Sequence, residues 1–291
     1  MDTSPLLMGP MASTGTFAIP YADVLGVRVS AINMAQAIFL ADRWIAARTP
    51  GYVCVTGVHG VMEAQSDMTF RKILNSAVMN TPDGMPMSWV GWVQGHREMR
   101  RVYGPDFMAA LCEHAAKQGY RNYLYGGKPG VAERLRERLQ SRFPALKIVG
   151  TYTPPFRDLT KEEEAALLSA VHALSPDILW VGLSTPKQEN FMARYTHRLG
   201  IPLLVGVGAA FDIHTGQIRD APGWVKAMGM QWFHRMIQEP RRLSGRYLKN
   251  NPDFLVRIAL DSLSRCIRRG ASRAIPEKDT DCGLEKDREL L

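Results

Sequence analysis

Short apolar runs bounded by glycine and proline recur through the first two thirds of the chain, and several are followed by stretches whose apolar positions repeat at helical spacing. Gly51 to Thr56, Asn122 to Tyr125, Asp177 to Leu183 and Ile201 to Val207 are such runs, and they read as strands. The second run leads through Gly126-Gly127-Lys128-Pro129-Gly130 into a helical stretch from Val131 to Phe143. The third leads through Ser184-Thr185-Pro186-Lys187-Gln188-Glu189 into another. Thr160 and Glu163 make a capping box for the helix ahead of the third run. Strands that alternate with helices need crossover connections, so the pattern predicts an α/β fold with a mostly parallel sheet flanked by helices. Ligands of such sheets bind at the carboxyl ends of the strands, where helix N-termini present free N–H groups to anions. The glycine turns mark that place.

The pattern changes near the C-terminus. Asn251 can cap a helix whose first residue is Pro252. At about 100° per residue, Leu255, Val256, Ala259, Leu260, Leu263, Cys266 and Ile267 share one side, and Arg257, Arg265, Arg268 and Arg269 take the other. Such a helix either docks on its own domain or lies on a membrane surface. Beyond Gly270 the chain is polar and of mixed charge, and is expected to fray. The expected division is an α/β catalytic domain over 1–220, a basic helical appendage over 221–270 and a polar tail over 271–291.

Charge sharpens this picture. The 291 residues are 46% apolar and 22% charged, enough to bury a full core, and 36 basic against 28 acidic residues leave a net charge of +8. Segments 1–220, 221–270 and 271–291 carry +3, +7 and −2, so the basicity is local. No zinc finger or RNA-recognition signature accompanies it, so no nucleic-acid partner is expected, and an anionic membrane surface or a phosphate ligand fits better. Four dispersed cysteines without a CxxC pair indicate a reducing compartment. The first 22 residues lack Lys and Arg and are broken by Pro5, Pro10 and Pro20, unlike a signal peptide. The best uncharged apolar run, Leu199 to Phe211, is shorter than the roughly 18 residues a spanning helix needs. A cytoplasmic protein, peripheral on the membrane if it meets one, is expected.

Several chemistries drop out. Gly206-Val207-Gly208-Ala209-Ala210-Phe211 is not a dinucleotide fingerprint, and there is no Walker A motif. Ser184-Thr185-Pro186-Lys187 matches SxxK but lacks the SDN and KTG partners. The seven histidines form no metal-binding pair, and the only Asp-x-Asp, Asp279-Thr280-Asp281, lies in the polar tail, so no metal site is expected. A bound diphosphate would have to be offset by arginines and helix N-termini. Asp83 in Pro82-Asp83-Gly84, Gln188 and Glu189 at a helix start, and Asp212 after a buried strand remain as candidates. Each also has a plain structural reading, as a turn, a helix start and a loop cap.

Taken together, the segments resemble the WecG/TagA/CpsF family, glycosyltransferase family 26. The likeness is carried by Asn80-Thr81-Pro82-Asp83-Gly84-Met85-Pro86, Arg101-Val102-Tyr103-Gly104-Pro105-Asp106-Phe107-Met108 and Tyr123-Leu124-Tyr125-Gly126-Gly127-Lys128-Pro129-Gly130. It continues through Gly182-Leu183-Ser184-Thr185-Pro186-Lys187-Gln188-Glu189, Gly206-Val207-Gly208-Ala209-Ala210-Phe211-Asp212, Arg219-Asp220-Ala221-Pro222 and Glu239-Pro240-Arg241-Arg242-Leu243. These seven segments stand in the family's order between about Val27 and Tyr247.

The resemblance implies a Rossmann-like catalytic domain with a basic helical C-terminal appendage. It also implies inverting, metal- and cofactor-independent transfer of an N-acetylmannosamine-type or related sugar from a UDP-sugar to a polyprenyl-diphosphate-linked sugar at the inner membrane face, in surface-polysaccharide or cell-wall polymer synthesis. Asp83 stands at the position of the catalytic base, with Arg101 and Gln188 contacting the donor. Thr56, His59, Gly126, Gly127, Gly182, Pro186, Glu189, Gly208 and Asp212 are the expected binding residues of the main body. Arg235, Arg242 and Arg246 are those of the appendage, which is implied to complete the site and approach the membrane. Trp224, Trp232 and Phe233 suit either a lipid interface or a core. One stretch departs from the family: Val55-Thr56-Gly57-Val58-His59-Gly60 lacks the Asn of its Thr-x-Asn pair, leaving His59 either to take over the polar contact or to mark a different sugar. A non-catalytic binding protein of the same fold is the alternative, and a homo-oligomer stays open.

Overall fold

The computed structural model describes residues 19–273. Most of the N-terminal segment in which a leader was sought, and most of the polar tail expected to fray, lie outside the described residues. The chain opens with a hairpin, β1 (Tyr21–Val24) and β2 (Val27–Ser30), turned by Leu25 and Gly26 at φ 54° and 84°. Two positive φ values are what a two-residue hairpin turn needs to match the strand twist. Helix α1 (Met34–Ala47), held by an Asn33–Gln36 capping box, leads into β3 (Gly51–Thr56). Helices α2 (Val58–Ser66) and α3 (Met68–Ser76) return the chain to β4 (Met79–Pro82), followed by α4 (Met85–Val93) and α5 (Gly104–Gln118).

Regular alternation follows: β5 (Arg121–Gly126), α6 (Val131–Arg142), β6 (Lys147–Tyr152), α7 (Lys161–Leu174), β7 (Ile178–Gly182), α8 (Lys187–Leu199) and β8 (Leu203–Gly206). Thr160 and Glu163 form the expected capping box at the start of α7. Short helices α9 (Ala210–His214) and α10 (Gly223–Ala227) precede α11 (Gln231–Gln238) and the long α12 (Pro240–Arg273).

Strands β3 to β8 form one parallel sheet in the order β4-β3-β8-β7-β5-β6. Its two faces explain why the central strands carry no polar alternation. Tyr52, Cys54, Tyr123, Tyr125, Leu179, Val181 and Leu204 pack one way with Phe70 of α3 and Phe191 and Met192 of α8. Val53, Leu124, Trp180 and Val205 pack the other way with Ile45 of α1, Phe107 and Leu111 of α5 and Leu135 of α6. Both faces are covered, so both sets must be apolar. A buried polar pair in the sheet is closed on itself, Trp180 Nε1 donating to Asn122 Oδ1 at 2.9 Å. The fold is therefore the expected α/β, Rossmann-like one.

The C-terminal helix differs from expectation in two ways. It does not begin at an Asn251 cap; it runs unbroken from Pro240 to Arg273, with Pro252 inside it. Leu243 and Phe254, both 2% exposed, lie eleven residues apart, about three helical turns, so both anchor the same side to the body of the protein. That side packs on α2, and the helix continues through the proline. Its apolar side is also not the docked one: Leu255, Val256, Leu260 and Leu263 are exposed, while Arg265 turns in to Asp23 of the hairpin at 3.2 Å. The side chains of Cys266, Ile267, Arg268 and Arg269 lie outside the described residues.

Candidate active site

The carboxyl ends of all six parallel strands open into one cavity of about 1300 Å³. Its floor is made by Thr56, Gly57 and His59 after β3, Asp83 and Gly84 after β4, Gly127 and Lys128 after β5, Phe156 after β6, Gly182 to Thr185 at β7 and Val207 to Ala209 after β8. Gln231, Trp232, Arg235, Arg242, Arg246 and Tyr247 of α11 and α12 line it from the appendage.

Asp83 is the first residue past β4, and its N–H donates to the Thr56 carbonyl at 3.0 Å, extending the β3–β4 pairing by one step. Gly84, at φ 91°, then turns the chain into α4, a conformation a residue with a Cβ rarely takes. The turn leaves the Asp83 carboxyl half-buried in the cavity wall. Burial raises its pKa to about 6, and the Arg101 and Arg235 guanidinium groups pull the other way. A carboxylate in this range is ionised at neutral pH yet basic enough to accept a proton from a bound hydroxyl.

Arg101 is held in place by its neighbours. Its Nη1 donates to Gln231 Oε1 at 2.8 Å, its Nη2 reaches Asp106 Oδ2 at 3.4 Å, and its guanidinium lies 5.0 Å from the centre of the Tyr103 ring. Lys226 of α10 covers the same ring and pairs with Asp220 and Asp106. The appendage is thereby tied to the main body by charged contacts at the cavity rim.

Gln188 and Glu189 form a buried relay under the floor. Gln188 Oε1 accepts from the Gly208 N–H at 2.9 Å, and its Nε2 donates to Glu189 Oε1, which also accepts from Thr185 Oγ1. Burial pushes the Glu189 carboxyl up. Gln188 thus fixes the turn after β8 as well as lining the cavity. The Thr56 hydroxyl is likewise turned inward, to Asn80 Oδ1 at 3.2 Å. Burial also raises Asp212, on α9, against the pull of Lys128 and Arg242.

His59 is met from above by the appendage: Asn250 Nδ2 donates to its Nδ1 at 3.1 Å. Burial, reinforced by Arg246, lowers its pKa to about 4, so the ring is neutral. Arg235 and Arg242 share Glu239 Oε2, at 3.4 and 2.6 Å, and burial lowers Arg246. Arg101, Arg235, Arg242, Arg246 and Lys128 outnumber the acidic residues facing them, which suits an anionic ligand. Among the described residues no group of three or more His, Cys, Asp or Glu converges as a metal site.

The cavity brings together thirteen of the fifteen residues singled out from the sequence. The two others lie beneath it. Gly126 is packed against β7, where a Cβ would sit 2.6 Å from the Gly182 carbonyl oxygen, and Pro186 is the residue before α8. Sequence reasoning missed Tyr103, Lys226, Gln231, Tyr247 and Asn250. Tyr103 lay inside a matched segment, whereas Lys226, Gln231 and Asn250 gain meaning only through contacts with partners more than 100 residues away.

A parallel sheet whose strand ends face a cationic cavity, with a carboxyl group raised by burial beside the arginines, has the chemistry that suits an anionic ligand. Residues 22–267 match the model of the glycosyl transferase WecG/TagA/CpsF family, and the chain belongs to that family; it is a glycosyltransferase. It is 26% identical over 204 residues, 70% of this chain and 78% of the relative, to an N-acetylglucosaminyldiphosphoundecaprenol N-acetyl-beta-D-mannosaminyltransferase of Bacillus subtilis (strain 168). A Bacillus spizizenii protein of the same name is 27% identical over 180 residues, 62% of this chain and 68% of that relative.

Proposed function

We propose that this glycosyltransferase moves an N-acetylmannosamine-type sugar from a UDP-sugar to a polyprenyl-diphosphate-linked sugar, by a single inverting displacement and without a metal. The observation that carries the reading is Asp83, a half-buried carboxyl with a pKa of about 6, faced by Arg101 and Arg235 in a cavity large enough for a nucleotide sugar and the head of an acceptor. The acceptor hydroxyl gives its proton to Asp83 as its oxygen bonds to the anomeric carbon. The bond from that carbon to the diphosphate breaks, and the charge gathering on UDP is taken up by Arg235, Arg242 and Arg246 through charge-assisted hydrogen bonds. The acceptor class is supported by the names of the two relatives.

The site is proposed to work at the inner face of the cytoplasmic membrane, in surface-polysaccharide or cell-wall polymer synthesis. Among the described residues no helix is long and apolar enough to cross a membrane. Trp224, Phe233 and Ile237 near the cavity and Leu255, Leu260 and Leu263 along α12 are exposed on the basic appendage, a combination suited to an anionic lipid surface. Trp232, by contrast, packs on Phe233 and Tyr247 and lines the cavity.

The test is a transfer assay with a polyprenyl-diphosphate-linked N-acetylglucosamine acceptor and a panel of UDP-sugars, with EDTA and with added magnesium. Turnover unaffected by EDTA is expected. UDP binding without transfer to any acceptor would instead support a binding protein that kept the fold.

A further inference from the structure

Gln231 opens α11 and reaches from the appendage to the main body of the cavity. Its Oε1 accepts from Arg101 Nη1 at 2.8 Å. A guanidinium only donates, so this bond decides which end of the amide is oxygen and leaves Nε2 as the free end. That nitrogen is shielded from solvent, has no acceptor in the protein and belongs to a residue lining the cavity. One helical turn further on, Arg235 repeats the situation: its Nε is shielded and without an acceptor although its Nη2 reaches Glu239. Residues four apart share a helix face, so two unsatisfied donors sit side by side over the cavity, and Arg101 and Arg235 both face Asp83. Buried donors are normally paired; here the acceptor has to come from what enters the cavity.

We infer that Gln231 is a substrate-contacting residue, holding Arg101 through Oε1 while donating from Nε2 to an acceptor oxygen of the glycosyl diphosphate. This deepens the transferase reading and rests on it for the identity of the ligand. The acceptor oxygen is either on the diphosphate or on the sugar; the chemistry is the same, and the two are told apart by the ligand used.

The experiment compares the full-length wild type with Gln231→Glu and Gln231→Met. Glu keeps an oxygen for Arg101 and removes the donor; Met has similar length and removes both without adding charge. Affinities for UDP and for UDP-N-acetylglucosamine and UDP-N-acetylmannosamine are measured by calorimetry, and kcat/KM by transfer, with thermal unfolding to show that each variant is folded. Both variants should lose about ten- to a hundredfold in kcat/KM and weaken binding of the UDP-sugar that the wild type binds. Weaker UDP binding as well places the oxygen on the diphosphate; an effect confined to the UDP-sugars places it on the sugar. Wild-type behaviour of Gln231→Glu would overturn the inference, since Gln231 would then serve only to orient Arg101. A wild type that binds UDP-sugars but transfers none counts against the transferase reading, while the binding comparison still decides the role of Gln231.

Discussion

Asp83, proposed as the base, carries a stability cost. Its folded-state pKa of about 6 lies above the ordinary value of 3.8, so between those values the folded protein binds more protons than the unfolded chain. Stability is therefore highest below pH 4 as far as this group is concerned, and its share is lost as pH rises through about 6 and the carboxyl ionises in a site that disfavours the charge. Asp83→Asn removes that cost and should raise the melting temperature at pH 7 by about 2–4 °C, measured by calorimetry. Wild-type kcat should rise with pH through about 6 and then level, as expected of a group that acts unprotonated. A profile flat from pH 5 to 8 would contradict that assignment. At this scale much of the site was legible, because Pro-Asp-Gly and the glycine turns announce themselves locally. Gln231 and Asn250 did not, since nothing in their local sequence tells of Arg101 or His59.

Elements were legible in proportion to their burial. The central strands β3, β5, β7 and β8 show as apolar runs because both their faces are covered. The edge strands were not seen. β4 ends in a proline, which an edge position tolerates and which the sequence presents as a turn, and β6 is half-exposed along most of its length. The start of α12 was misplaced because Asn251 followed by Pro252 carries the local signature of a helix start, whereas the helix already runs from Pro240, anchored by Leu243 and Phe254. Where β7 meets α9 the contact is close: a Cβ on Gly182 would lie 2.6 Å from the Phe211 ring. Gly182→Ala should cost about 1–3 kcal/mol in urea unfolding by overpacking. The outward face of α12 makes the opposite prediction. Replacing Val256, Leu260 and Leu263, which are exposed and do not line the cavity, together by Gln should leave thermal stability nearly unchanged and reduce co-sedimentation with anionic vesicles several-fold. Undiminished vesicle binding would exclude this face as the membrane contact.

Over the whole molecule, the parallel sheet gathers six strand ends on one side, and the appendage closes over that side with its cations turned inward. The local basicity of residues 221–270 is thus partly spent on the cavity, through Arg235, Arg242 and Arg246, and partly on contacts with the main body, through Lys226 and Arg265. Charge counting along the chain revealed the surplus and not its division, which depends on the path of α11 and α12 over the sheet. The most direct measurement compares the wild type with Asp83→Asn for sugar transfer to a polyprenyl-diphosphate-linked N-acetylglucosamine, alongside UDP affinity of both by calorimetry. If Asp83 is the base, the variant loses about 10²- to 10⁴-fold in kcat and keeps its UDP affinity. Transfer by Asp83→Asn at the wild-type rate would contradict it.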